Sequence, residues 1–369
     1  MKRILIFSLL SFFTFSCTEY NDDGLPSEPG NIVITNPDGT KKVKQVVITM
    51  DGSFEMATEM PMDIQSVSTT TFATDSYSRE TSTISTYNGS GEGQTIPVTS
   101  TETWEGRKFI QMQNSSDRVV FSYNEDQLIG FNSFNDNSPF GSGEITATEN
   151  EINLITSALS PFNVPTNTVF TLENGYISAV EITNTEDNSV YNIDISRSNA
   201  NITQLVINSP TGSKTYNYTY DANINPMHLA YETPLQQTYA EIARLITSNF
   251  NLNIHEGNQN INSIESSFRM MLSEGNNNLL SATSGNERLF STSISYDDEN
   301  YPIASTGEGT FQFSLGGILD GIIESMTEMM EQMGFSQEEI DESIANTQEE
   351  FSNGVEMEMS TTSEISYYE

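Results

Sequence analysis

A chain of 369 residues with 51 acidic side chains against 14 Lys and Arg has a formal net charge of −37. That balance excludes nucleic acid and anionic lipid surfaces as electrostatic partners, since both are polyanions. The apolar fraction of 36% is low, yet 10% aromatics exclude disorder throughout the chain.

The first element is a leader. Lys2 and Arg3 precede an apolar stretch from Ile4 to Phe15, which at ~1.5 Å per residue is too short for a ~30 Å hydrocarbon core. A short apolar run with one basic flank is a secretory signal rather than a membrane span. It ends in Thr14-Phe15-Ser16-Cys17, similar to the bacterial lipobox, although Thr14 stands where Leu is usual. Cys17 is the only cysteine in the chain, so no internal disulfide explains its thiol. The sequence therefore predicts a signal peptide over 1–16 and lipidation of Cys17, with the membrane as a partner through that lipid. Residues 17–30, with Glu19, Asp22 and Asp23 followed by Gly24, Pro26, Pro29 and Gly30, read as an acidic, solvated tether.

Residues 31–369 read as one β-repeat domain with helical insertions. Runs rich in Thr, Val, Ile, Tyr and Phe alternate with Gly, Asn, Asp and Pro clusters. Thr215 to Tyr220 places Tyr216, Tyr218 and Tyr220 on one face of a strand. Val33 to Lys41 recurs as Val206 to Lys214, each copy with Pro and Gly spaced for a hairpin loop. Tyr220-Asp221…Pro226 returns as Tyr296-Asp297…Pro302, with a weaker copy from Tyr123 to Ile129 and a shortened one from Leu172 to Ile177. A single hairpin is barely stable, so successive hairpins predict a large curved antiparallel meander or barrel-like sheet, open or closed.

Two segments break the β period. Thr233-Pro234-Leu235-Gln236 caps a helix whose stripe is Leu235, Tyr239, Ile242, Ile246 and Phe250, an insertion of about 233–250. Farther on, an αα-hairpin of about 315–353 begins with Ile318, Leu319, Ile322, Ile323, Met326, Met329, Met330 and Met333. Its second helix starts at the Ser336 and Glu339 capping box and ends at Asn353-Gly354. The methionines continue an apolar face and read as packing rather than a thioether metal site.

The hairpins at Tyr216 to Pro226 and Tyr296 to Pro302, with the Tyr-rich strand Ser363 to Tyr368, resemble those of a Bacteroidetes envelope lipoprotein family of unknown function. That resemblance implies a porin-like antiparallel β domain of the outer envelope with no assigned chemistry. The acidic residues after Cys17 resemble the surface-export signal of Bacteroidetes lipoproteins, which favours the outer-membrane surface slightly over the periplasmic side. The αα-hairpin departs from the family's pattern.

Little in the chain speaks for catalysis. After Arg288, 81 residues carry 18 acids without a Lys, Arg or His, a solvated surface on this reading. Asp297-Asp298-Glu299 lacks the alternating spacing of a calcium loop. His228 and His255 are isolated, no G-x-S-x-G elbow exists, and neither a cofactor nor a metal is implied. Three readings remain open. The first is a lipid-anchored, non-enzymatic binding or structural module for a glycan, protein or lipid ligand. The second is a carrier holding an apolar ligand in the curved sheet under a lid of Ile322, Met326, Met329, Met330 and Met333. The third is a carboxylate hydrolase. Outward tyrosines favour the first, a deep apolar cavity under the Met helix the second, and two converging carboxylates with raised pKa values the third.

Overall fold

The computed structural model describes residues 41–368, apart from 57–59, 89–93, 159–164, 226–230, 248–263, most of 314–354 and several shorter gaps. Alternating Thr, Val and Ile sequences form eighteen strands: β1 (Val43–Met56), β2 (Met60–Phe72), β3 (Arg79–Asn88), β4 (Gln94–Glu105), β5 (Lys108–Gln113), β6 (Asp117–Asn124), β7 (Gln127–Asn135), β8 (Ser138–Ala147) and β9 (Glu151–Ala158). They continue as β10 (Thr166–Glu173), β11 (Tyr176–Asn184), β12 (Val190–Ser198), β13 (Asn201–Ser209), β14 (Gly212–Ile224), β15 (Asn277–Ser284), β16 (Glu287–Tyr296), β17 (Pro302–Phe313) and β18 (Val355–Tyr367). Each pairs antiparallel with its neighbours in sequence. β18 then pairs with β1, with Val46 opposite Ile365 and Thr49 opposite Thr362. The meander is a closed barrel.

Tight turns set the register. Asn174 (φ 53°) and Gly175 (φ 84°) form the β10–β11 turn, and positive φ at both central positions suits the twist of a two-residue hairpin. Ser209 pairs with Gly212 where β13 turns into β14, as the repeat implies; the other copy, Val33 to Lys41, lies almost wholly outside the described residues. Tyr296 to Pro302 joins β16 to β17. The other Tyr-Asp copy corrects the hairpin expectation: after Tyr220 the chain runs through a long insertion before β15 returns. Its sequence resembles the hairpin because Asp does the same local job in both. Asp297 Oδ1 accepts the N–H of Glu299 and Tyr301, and Asp221 Oδ1 accepts that of Asn223 and, across the sheet, Asn278.

In an up-and-down ring the connections alternate between two ends. The turns after the even-numbered strands share one end with the start of β1 and the close of β18, here named the terminal end. The insertion between β14 and β15 is therefore rooted at the terminal end, and the one between β17 and β18 at the opposite end.

The two faces of the barrel differ. On β12 the exposed side chains are Val190, Asn192, Asp194, Ser196 and Ser198, while Tyr191, Ile193 and Ile195 are buried. On β18 Glu358, Ser360, Thr362 and Glu364 point out and Met359, Ser363 and Ile365 point in. The outside is polar and the inside is a continuous apolar cluster from Trp104 on β4 round to Phe290 on β16. The remaining wall is lined by hydroxyls that bond in pairs across strands: Ser66 with Ser85 (3.2 Å), Ser68 with Thr83 (2.8 Å), Thr70 with Thr81 (2.9 Å) and Ser305 with Ser363 (2.7 Å).

Helix α1 (Pro234–Thr247) is buried continuously from Gln237 to Ile246. Ten consecutive buried residues span every face of a helix, so α1 lies enclosed by the barrel as a plug. The amphipathic stripe is correct for Tyr239, Ile242 and Ile246, but the face expected to meet water is buried too. Ile264, Phe268, Met271 and Leu272, from the same insertion, join the same cluster. In the second insertion the Ser336 and Glu339 box is formed: Ser336 N–H and Oγ both donate to Glu339 Oε2 at 2.8 and 2.7 Å. The Phe335 N–H donates to the Met330 carbonyl.

Ile242 has no solvent exposure, whereas Leu235 at the start of α1 is 37% exposed. Ile242→Ala is expected to lower stability by about 2–5 kcal/mol and Leu235→Ala by about 0.5 or less, read from urea unfolding midpoints.

Candidate functional site

The local logic of α1 begins at its cap. Thr233 Oγ1 accepts the N–H of Gln236 at 3.3 Å, and Pro234 occupies the first helical position, where no N–H is needed. Thr238 Oγ1 donates to the Gly175 carbonyl at 2.8 Å, seating the helix on the β10–β11 turn.

One turn further, two opposite charges on adjoining sides of the helix reach different strands. Glu241, fully buried, takes a bidentate pair from Arg197 on β12, with Nη2 to Oε2 at 2.7 Å and Nη1 to Oε1 at 3.0 Å. Gln237 donates to the same carboxylate at 3.1 Å. Arg244 Nη1 donates to Glu102 Oε1 on β4 at 2.7 Å, and Arg79 on β3 holds both oxygens of Glu102 at 2.8 and 3.0 Å. The Arg244 guanidinium also lies over Phe109 at 4.9 Å and Trp104 at 5.5 Å, rings that stack at 4.9 Å. β4 and β12 are eight strands apart in a ring of eighteen, so the helix ties two nearly opposite walls together. Burial pushes the Glu102 carboxyl up, but Arg244 and Arg79 outweigh it and hold its pKa at about 2.

A second regularity occupies the terminal end. Tyr123 OH donates to the Phe109 carbonyl (3.1 Å), Tyr220 OH to Ile202 (2.8 Å), Tyr367 OH to Pro302 (2.7 Å) and Tyr368 OH to Phe72 (2.6 Å). Tyr123, Tyr220 and Tyr367 each clasp the preceding strand, and Tyr368 reaches past β1 to β2. Burial raises the pKa of Tyr123 and Tyr220, so both remain protonated donors. Lys41, where the chain joins the barrel, bonds Asp297 at 2.7 Å and sits 4.9 Å from the Tyr301 ring centre. Burial works against the Asp297 carboxylate, but Lys41 and two backbone N–H groups keep its pKa below the usual range.

At the same end a cavity of about 300 Å³ opens between α1 and three strand connections. Tyr77, Tyr123 and Tyr239 supply its rings, Gln236 and Ala240 come from the helix, and Glu105, Arg107, Lys108 and Asp126 stand around it. Lys108 Nζ pairs with Asp126 at 2.9 Å and donates to the Glu125 carbonyl at 2.6 Å.

The sequence-derived lid falls almost wholly outside the described residues. Ile322, Met326, Met329 and Met333 lie outside the described residues, as do Cys17, His228 and His255; Met330 is helical, half-buried and elsewhere in the chain. Tyr216 and Tyr218 share a face as expected, but it is the inner one, and Tyr218 OH bonds the buried Glu265 at 2.6 Å. Among the described residues no three His, Cys, Asp or Glu side chains group as a metal site. The cavity residues were not legible individually, because they come from four separate connections. Tyr123, as part of a repeat, was the one marked by a pattern.

No protein-family model matches the chain, and no curated protein matches it. Among solved structures, a porin-like protein from Bacteroides uniformis ATCC 8492 is similar, with a TM-score of 0.41 and 9% identity over 88% of this chain and 96% of that one.

Glu102→Gln removes the one carboxylate between Arg79 and Arg244 and is expected to cost about 3–5 kcal/mol. Because the native pKa is depressed, the Glu102 contribution is complete above ~4.5 and is lost as pH falls towards about 2. Thermal unfolding at pH 7 and pH 3 should therefore show a smaller acid destabilisation in the variant than in the native chain.

Proposed function

We propose that this chain is a non-enzymatic binding module of the bacterial outer membrane, held there by lipid on Cys17, with its barrel standing in water. The observation that carries this reading is the dressing of the barrel. A strand wall in hydrocarbon needs an apolar outer band ~25 Å tall. Here Asp63, Gln65, Glu80, Glu144, Glu181, Asn192, Asp194, Glu308, Glu358 and Glu364 occupy exposed outer positions on β2, β3, β8, β11, β12, β17 and β18. Exposed Val67, Ile84, Ile155 and Ile303 are scattered among them. Such a barrel reaches a membrane by an attachment outside itself, and the lipobox-like segment before the tether supplies one.

The filled interior favours binding at an end over passage through the lumen, because α1 closes the apolar half. The hydrolase reading finds no support in the carboxylates: Glu102 and Glu241 are each paired with arginine, and those acids that shift are lowered. The barrel is then a rigid frame, and the mouth at the terminal end is its recognition surface.

Cys17→Ala is expected to move the protein from the membrane fraction to the soluble fraction of lysed cells. In intact cells expressing the native chain, added protease should degrade it; retention of Cys17→Ala in membranes, or full protection of the native chain, overturns the anchoring or the surface assignment respectively.

A further inference from the structure

We infer that the terminal-end cavity is a saccharide site that takes one or two neutral sugar units. This rests on the reading of the chain as a binding module and names the ligand class of its mouth.

Three properties of the cavity select that class. Its volume of about 300 Å³ lies at the lower limit of small-molecule pockets, which run from ~300 to ~1,000 Å³. It is too small for a folded partner to insert more than a single side chain and sufficient for a short glycan end. Its walls are tyrosines. Tyr77 and Tyr123 are half-buried against the core and Tyr239 is buried on α1, so the rings are held by packing. The face of an aromatic ring suits the C–H face of a sugar ring.

The third property is charge. The chain as a whole is at −37, yet the cavity sets Glu105 and Asp126 against Arg107 and Lys108, two of each sign. A balanced rim gives no net attraction to a phosphate or sulfate ester, and a charged rim is a poor neighbour for an acyl chain. What it does offer is carboxylate acceptors beside guanidinium and ammonium donors, the complement of vicinal hydroxyls, which both donate and accept. A site built to hydrogen-bond a hydroxyl discriminates strongly against ligands that lack it.

The position of the cavity adds to the case. Its residues arrive from the β2–β3, β4–β5 and β6–β7 connections and from the first two turns of α1. The helix is pinned by the Glu241 and Arg244 ion pairs one turn beyond, so the floor formed by Gln236 and Ala240 is fixed before any ligand arrives. A preformed site loses less conformational freedom on binding.

The test uses the mature full chain and saturation-transfer NMR with cellobiose, maltose, lactose and chitobiose, followed by calorimetry on any that bind. At least one should bind saturably, and Tyr77→Ala should weaken it by about tenfold or more, the size of a well-placed anchor. Tyr77 touches the core, so Asp126→Ala, at the exposed rim, is the companion variant; it should weaken the same sugar by about threefold or more with unchanged unfolding. No saturable sugar, or binding untouched by both variants, overturns the inference. Oleate or a sulfated disaccharide binding in place of neutral sugars also overturns it, but leaves the binding-module reading standing. The anchoring part of that reading is judged separately by fractionation.

Discussion

A closed ring with apolar side chains turned inward must be filled, and the rest of this structure follows from how that is done. Eighteen strands enclose more space than their own side chains occupy. Helix α1 fills part of it and is attached by charge rather than by apolar contact alone. Glu241 reaches Arg197 on one wall, and Arg244 reaches Glu102 on the other. Charges taken out of water are costly unless paired and fully hydrogen-bonded. Both carboxylates meet that condition: Gln237 adds a bond to one, and Arg79 and the Trp104 indole add bonds to the other. The pairs also specify position. A helix held by apolar packing alone can slide by a turn, whereas one with two buried ion pairs to different strands has a single register.

The barrel is built by two packing chemistries on two arcs. From β4 to β16 the interior is a hydrophobic cluster. From β16 round through β18 and β1 to β3 many of the inward side chains are Ser, Thr and Gly, beside Met50, Met359 and the small cluster of Val43, Val46, Ile48, Phe72 and Ile365. Gly307 shows how tight that arc is: a Cβ there would lie 2.6 Å from Thr361 Oγ1. Small residues let the wall approach whatever lies within, while paired hydroxyls satisfy one another without water.

Much of this was legible before any coordinates. Alternating Thr, Val and Tyr predicted the strands, Ser209 to Gly212 predicted a turn, and Thr233 and the Ser336 and Glu339 box predicted helix starts, because each depends on residues within a few positions. The closure of the ring was not legible, since it depends on Val46 meeting Ile365, and nothing local in either strand names its partner. Nor was the plug. Glu241 and Arg244 have the spacing of a solvated helix face, and their burial is decided by Arg197 and Glu102, which are remote in sequence. The mouth cavity failed for the same reason. The Tyr-Asp copies were recognised as repeats, but Asp221 leads into the insertion rather than a hairpin because an Asp-capped turn constrains only its own few residues.

The seam between β1 and β18 has a consequence for how the molecule is assembled. Val46 and Ile365 are 319 residues apart (365 − 46), so this pairing bears the largest loop-closure entropy in the barrel. Helix α1 precedes the last four strands in the chain. It can dock on an open, half-finished sheet, with Arg197 and Glu102 already in place, before β18 meets β1. Once the seam forms, strands surround the helix laterally, and the way out is through an end of the barrel after Glu241 and Arg244 have given up their partners. The seam thus acts as a latch: it closes the sideways route by which the plug came in and leaves the two ion pairs to guard the other.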